Sequence, residues 1–462
     1  MEKAKYSSYK PSKTLWQGEI PSHWQETEIR MLFSDNKTKN MGLIERNLLS
    51  LSYGKLKRKD IDNATGLVPA SFEGYQIIEN GYIVLRFTDL QNDKKSLRVG
   101  YANERGIITS AYVGLAPKTD IHSKYFYYQL HFLDKIKYFY NLGGGVRQSL
   151  AFKEFGRETI LIPEIEEQTA IANFLDYKLA KINRFIRKKK QLIKLLNEQK
   201  AAIINQAVTK GLDPNVKMKD SGIEWLGEIP EHWEVKPIKY LVSCNDESLT
   251  DKTDKDYQLR YIDIGNVDSN GNVSEIVSYN FKDAPSRARR IVKEGDIIVS
   301  TVRTYLKAIM HINDDTENLI VSTGFAVLRP RKNVFSEFLN FAIRANYFIG
   351  KVVSESNGVS YPAINSTELI TFKIAVPLID EQKQIVQFID RESKIINTTI
   401  SIIEKEIALV EEYKTTLIAE AVTGKIDVRD FIVPETMESE SFEELDLVEE
   451  DESEIQNEEL EE

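Results

Sequence analysis

The sequence predicts an α+β protein built twice: two similar globular domains separated by two long antiparallel helices that form a coiled coil. Three observations predict it. First, residues 15–24, LWQGEIPSHW, return as 224–233, EWLGEIPEHW, so that Trp16, Gly18, Glu19, Ile20, Pro21, His23 and Trp24 are matched 209 residues later by Trp225, Gly227, Glu228, Ile229, Pro230, His232 and Trp233. Second, residues 168–208 form a run without Pro or Gly in which Ile171, Leu175, Ile182, Ile186, Ile193, Leu196, Ile203 and Ala207 recur at steps of three, four or seven, one stripe of an α-helix. Each has an apolar counterpart 214 residues on: Ile385, Ile389, Ile396, Ile400, Ile407, Val410, Leu417 and Ala421. Third, the stretches before each run alternate short β-branched and aromatic segments with turn residues.

The length of 462 residues allows two or three domains with sizeable cores. No apolar run is long enough to cross a bilayer and the first residues lack a signal-peptide core, so a cytoplasmic location is expected. Cys244 is the only cysteine, which excludes an intrachain disulfide or a thiolate metal cluster and suits a small buried side chain better than a nucleophile. Charge is divided unevenly. Residues 434–462 hold fifteen of the 71 acidic residues and no Lys or Arg, leaving 61 basic against 56 acidic residues in the body. A slightly basic body rich in Tyr and Phe is compatible with a polyanionic partner.

Taken in order, the chain divides into a globular domain at 1–164, a long helix at 165–210, a linker at 211–223, a second globular domain at 224–378, a second long helix at 379–425 and an acidic, disordered tail at 426–462. Within the domains, 82–87 and 296–301 read as strands introduced by Gly81 and Gly295, and 107–115 pairs with 320–328. Helical patterns follow at 123–140 and 336–353, then glycine loops at 143–149 and 357–362. Ile162-Pro163 and Val376-Pro377 precede acidic residues and Glu-Gln, the composition of a helix N-terminus, while Gly211 and Gly424 terminate the helices. A helix of 41 residues is about 60 Å long, more than one core needs, so its stripe is expected to pair with its copy. The two histidines of the repeated segment invite a metal or general-base reading; each stands between a Pro turn and a Trp with no second ligand nearby, and a structural role is expected.

Phosphate-loop, dinucleotide-binding, His-Glu-x-x-His, nucleophile-elbow and amino-methyltransferase motifs are all missing, so the chain reads as a binder. Candidate DNA contacts lie in the irregular parts of the domains. Lys55, Lys57 and Arg58 form a basic, turn-like cluster after Tyr53-Gly54, and Arg86 and Arg98 flank the end of a strand. Arg147 and Gln148 follow three glycines and are side-chain types that read guanine and adenine. The second domain offers Arg287, Arg303, Tyr305 and Lys307, with Tyr361 in its glycine loop. No residue is expected to be catalytic or to bind a metal or cofactor. The alternatives are a nuclease or methyltransferase with an unrecognised active site, and a coiled-coil adaptor that does not touch DNA.

The repeated Trp-x-Gly-Glu-Ile-Pro-x-His-Trp, the Pro and Glu-Gln before each helix, and Ala-Val-Thr closing each helix at Ala207 and Ala421 resemble the specificity subunit of type I restriction-modification systems. The resemblance runs from Trp16 to about Val428. It implies two target-recognition domains on a split double-stranded DNA site, with the helices setting the gap between half-sites. It also implies assembly with two methyltransferase subunits, which bind S-adenosylmethionine, and with motor-nuclease subunits that use ATP and Mg²⁺. The acidic tail is no part of the family pattern.

Overall fold

A computed structural model of the chain describes residues 4–62, 69, 71–88, 90, 96–142, 149–313, 316–358 and 361–434. It divides into two compact units, Met1–Lys190 with Glu404–Glu462, and Gln191–Ile403. The boundaries therefore fall inside the long helices rather than at the ends of the globular domains, and each helix gives its first part to one unit and its last part to the other.

Both units are built on one plan. In the first, a four-stranded sheet has the order Lys55–Lys59, Leu48–Ser52, Gly106–Ile108, Gln76–Ile78, with its middle pair parallel. A second, antiparallel sheet has the order Phe33–Asp35, Val113–Pro117, Ile83–Leu85, Val99–Tyr101. In the second unit the same two sheets are Val277–Asn280, Gln258–Ile262, Leu319–Ser322, Ala288–Ile291 and Val242–Cys244, Phe325–Pro330, Ile297–Ser300, Ile309–His311. The alternation read from sequence thus resolves into shorter strands: 107–115 and 320–328 each span two strands of different sheets, split by a turn that lets one apolar run serve both.

The helical patterns are likewise interrupted. Ser123–Lys135 is α-helical, and Lys137 at φ +60° then turns the chain into a 3₁₀ segment, Tyr138–Asn141. In the second unit Ser336–Ile343 and Asn346–Glu355 are separate helices, with extended Ala345 capping the latter. The long helices run Ile165–Lys210 and Ile379–Val422 and end on Gly211 and Gly424, both in the left-handed region that glycine adopts at least cost.

The helices pair antiparallel within each unit. In the first, Lys414 Nζ donates to Asn183 Oδ1 at 2.8 Å and Lys189 meets Glu406 at 2.7 Å; in the second, Lys200 Nζ donates to Asn397 Oδ1 at 3.0 Å. Asn183 and Asn397 are 214 residues apart, as are Lys200 and Lys414, so the Lys–Asn bond is duplicated with the helices exchanging roles.

Apolar burial follows the same exchange. The first unit's main core joins Trp24, Ile83, Phe126 and Leu161 to Ile171 and Leu175 from the start of the first helix and to Leu417 and Ala421 from the end of the second. The second unit's joins Trp233, Ile297, Phe338 and Ile374 to Ile385 and Ile389, and to Ala207 and Val208. Residues 426–434, read from sequence as the start of the tail, pack on the first unit: Ile426 and Val428 are buried and the ring of Phe431 lies edge-on to Phe174, with centroids 5.0 Å apart. The remainder of the tail, 435–462, lies outside the described residues.

Candidate nucleic-acid interface

The repeated segments act as clasps at the start of each long helix. The Trp24 indole Nε1 donates to Glu167 Oε1 at 2.9 Å while His23 Nε2 lies 2.8 Å from Oε2 of the same carboxylate; Trp233 and His232 hold Glu381 in the same way, at 3.0 and 2.8 Å. The next residue completes the joint. Gln168 donates to the Pro163 carbonyl and accepts from the His122 amide, and Gln382 does the same with Pro377 and Phe335. Sequence spacing does not find these partners, since His and Glu lie 144 or 149 residues apart. The histidines are thereby used to orient a helix.

Among the described residues of the first unit, the expected DNA contacts fall on an edge strand, just past a second strand and in the interior. Lys55–Lys59 is an edge strand, not a turn: Tyr53 at φ +46° and Gly54 at φ +82° make the turn before it, and cross-strand bonds to Leu48–Ser52 extend the chain. Lys55, Lys57 and Lys59 share one face, while Leu56 and Arg58 take the other, where Leu56 packs beside Leu49. Arg58 is drawn to Glu104, its Nε 2.8 Å from Oε1, and holds that carboxyl below its usual range. Arg86 is half-buried just past the strand Ile83–Leu85.

Arg98 corrects the sequence expectation most sharply. It is completely buried, donating from Nη1 to the carbonyls of Thr88 (2.8 Å) and Arg86 (3.2 Å) and from Nε to the Tyr140 hydroxyl (3.0 Å), while its backbone N–H donates to Asp134. It is an internal brace, because a buried guanidinium requires such partners. Arg147 and Gln148 lie outside the described residues.

The second unit does gather its candidates. The loop between Ile297–Ser300 and Ile309–His311 carries Arg303, Tyr305 and Lys307, and Arg303 lies with its guanidinium carbon 4.7 Å from the ring centroid of Tyr361, contributed by the 357–362 loop. Tyr305, Leu306, Lys307 and Tyr361 are exposed. The loops are stitched together below these side chains: the Ile364 amide donates to the Thr301 carbonyl (2.9 Å), and the Thr304 and Ser356 hydroxyls are 2.7 Å apart. Arg287 is tied to the same edge by backbone bonds, since Thr323 N donates to its carbonyl and Thr301 N donates to that of Gly324; its side chain pairs with Asp263 at 2.6 Å. Leu306, at the tip between Tyr305 and Lys307, escaped sequence reasoning because a lone apolar residue in a strand-rich stretch reads as core.

Among the described residues no three or more His, Cys, Asp or Glu side chains are grouped so as to hold a metal ion. Cys244 is half-buried, and burial pushes its thiol up, away from the reactive thiolate. No helix among the described residues is long and apolar enough to cross a membrane.

Comparison with known proteins agrees with this architecture. The family described as "Type I restriction modification DNA specificity domain" matches residues 76–195 and 230–412. The chain is 25% identical over 421 residues to the specificity subunit of the type I restriction enzyme MjaVIII of Methanocaldococcus jannaschii, covering 89% of this chain and 94% of that one. It is 27% identical over 326 residues to the putative MjaX specificity subunit of the same organism, covering 68% and 70% of the two chains. A solved chain from a study of complex assembly and conformational transition in the type I R-M system shares the fold with a TM-score of 0.61 at 13% identity, over 88% of this chain and 99% of that one. With both halves matched and the duplicated units each carrying the clasp at the helix start, the chain belongs to the type I restriction-modification DNA specificity family.

Proposed function

We propose that, as the specificity subunit of a type I restriction-modification system, this chain reads a bipartite double-stranded DNA target, one part with each globular unit, while its paired helices set the unread gap. In this reading the helices also dock two methyltransferase subunits, and motor-nuclease subunits join the same complex. S-adenosylmethionine, ATP and Mg²⁺ belong to those partners, and this chain supplies sequence choice without chemistry of its own.

The observation that carries the reading is a shared scaffold with different surfaces. The edge strand Lys55–Lys59 reads KLKRK, whereas its counterpart Val277–Asn280 reads VSYN, although both sheets have the same strand order. Equal scaffolds with unequal edges suit two different half-sites, and linking them raises affinity through effective concentration. The DNA-facing set proposed here is Lys55, Lys57, Arg58 and Arg86 in the first unit, with Arg147 and Gln148 from its glycine loop, and Arg287, Arg303, Tyr305, Lys307 and Tyr361 in the second. Docking on the helices is supported by Ile395 and Ile402, one heptad apart on the second helix and exposed despite being apolar.

Exchange of residues 1–160 for the same region of a relative, followed by mapping of methylated adenines in the assembled complex, tests the reading. One half-site is expected to change and the other to persist. Change in both, or in neither, would refute it.

A further inference from the structure

The Arg303 loop has the geometry of a preset reading head. Arg303 and Lys307 both adopt left-handed backbone conformations, φ +51° and +56°, around the single turn Thr304–Leu306. For residues with a Cβ such a conformation is strained and persists only where the surroundings enforce it. Here they do. Ser300 Oγ donates to the Val302 carbonyl at 2.6 Å, Thr301 Oγ1 to the Gly324 carbonyl at 2.8 Å, and buried Thr304 shares a hydrogen bond with Ser356. Together with the Ile364 amide on the Thr301 carbonyl, these braces hold a loop pair whose side chains at the surface are a guanidinium, two phenols, a leucine and an ammonium.

The guanidinium carbon of Arg303 lies over the Tyr361 ring, 4.7 Å from its centroid, so the aromatic face restricts how the group can turn. A phosphate contact needs charge alone and is served by a flexible stem such as that of Lys307. Fixing the plane of a guanidinium matters when two parallel N–H groups must meet two acceptors at once, and in the major groove guanine is the base that presents such a pair, O6 and N7.

We propose that Arg303 reads a guanine in the half-site of the second unit, donating to O6 and N7 in the major groove, and that Tyr361 is the positioning residue that fixes the guanidinium plane. Lys307, four residues on, takes the adjacent phosphate. The inference rests on the bipartite reading above and adds the identity of one base.

The test uses the full chain assembled with its methyltransferase subunits and maps methylated adenines genome-wide. The half-site of the second unit is assigned beforehand by exchanging residues 224–378. Arg303→Ala and Arg303→Lys are each expected to make one guanine position in that half-site degenerate, lowering discrimination there by about ten- to a hundredfold, with the other half-site and the gap unchanged. Tyr361→Ala is expected to relax the same position and Tyr361→Phe to leave it intact. Should Arg303→Ala not assemble, Arg303→Lys decides, since it keeps charge and stem and removes only the fork. An assigned half-site made solely of A·T pairs, or an Arg303→Lys complex whose motif is unchanged letter for letter, would overturn the proposal. If domain exchange changes neither half-site or both, it is the bipartite reading that fails.

Discussion

The Trp24 indole N–H and the Glu167 carboxylate, 143 residues apart in sequence, meet at 2.9 Å in the first unit's interior, and the same carboxylate receives His23. One acidic side chain therefore fastens the opening segment of the domain to the first turn of its long helix. A negative charge is favourable at that helix end, and the indole donor would otherwise be buried without an acceptor. The copy at Glu381 uses the same bonds but is more open, with its side chain 25% exposed against 5% for Glu167.

This difference sets an order. Glu167→Ala is expected to cost about 2–3 kcal/mol in unfolding free energy, the penalty for orphaning a buried donor, and Glu381→Ala distinctly less because water reaches its site. Glu167→Gln keeps an acceptor and should recover part of the loss. Denaturant melts of the three variants measure it, and equal losses at both sites would contradict the burial argument.

Two left-handed glycines, one closing the second long helix and one in the linker, are expected to separate in the same way. A Cβ on Gly424 would lie 2.4 Å from Pro21 Cδ and 3.3 Å from Trp24, and φ there is +71°; Gly222, at φ +64°, has nothing within 4 Å of such an atom. Gly222→Ala should cost about 1 kcal/mol of backbone strain alone. Gly424→Ala must also displace the clasp, and thermal melting should show a clearly larger loss. Similar melting shifts would mean that Pro21 yields freely.

Arg98 and Lys57, both read from sequence as DNA contacts, should now behave oppositely. Arg98→Ala empties a buried site lined by two carbonyls and a phenol, and a loss of about 3 kcal/mol or more is expected in stability with no change in the methylated motif. Lys57→Ala, on an edge strand, should cost much less stability than Arg98→Ala and reduce the salt slope of DNA binding by roughly one counterion. Unfolding and salt-titrated binding together check both.

Legibility in the sequence followed physical range. The duplicated scaffold and both helices were readable because repetition and a 3.6-residue period are local, and Gly211 and Gly424 ended the helices as their chemistry requires. The Glu167 clasp and the Lys414–Asn183 bond were not, because nothing near Glu167 or Asn183 in the chain names a partner more than a hundred residues away. Arg98 failed for a related reason: an arginine beside a strand looks the same whether it faces solvent or turns inward onto Tyr140. Arg303 and Tyr361 were readable as candidates, but only the folded loops reveal that the guanidinium lies over the ring.

His131 supplies a pH dependence. Burial, with Lys135 and Lys414 adding to it, lowers its imidazole to about 4, and its Nδ1 is enclosed without a hydrogen-bond partner among the described residues. In the unfolded chain the ring takes its proton near pH 6.5, so between pH 6.5 and 4 the unfolded state binds more protons and stability falls as pH falls. Full protonation is expected to cost about 3 kcal/mol. His131→Gln should flatten this limb of a stability–pH curve, and an unaltered limb would assign the acid sensitivity elsewhere.

The helix pair offers the last test, because its register is recorded in side chains. Lys414–Asn183 and Lys200–Asn397 are copies of one bond, and each fixes how far one helix has advanced along the other. A heptad inserted between residues 190 and 191 lengthens one helix by about 10 Å and carries the second Lys–Asn pair out of reach relative to the first, so loss of methylation is expected. A matching heptad between 403 and 404 restores both pairs. The doubly inserted protein should then methylate sites whose unread gap is longer by about three base pairs, the rise of a heptad divided by the 3.4 Å of a base pair. Mapping modified adenines with each insertion variant measures that gap directly; an unchanged gap in a double insertion that still methylates would mean that the helices do not set it.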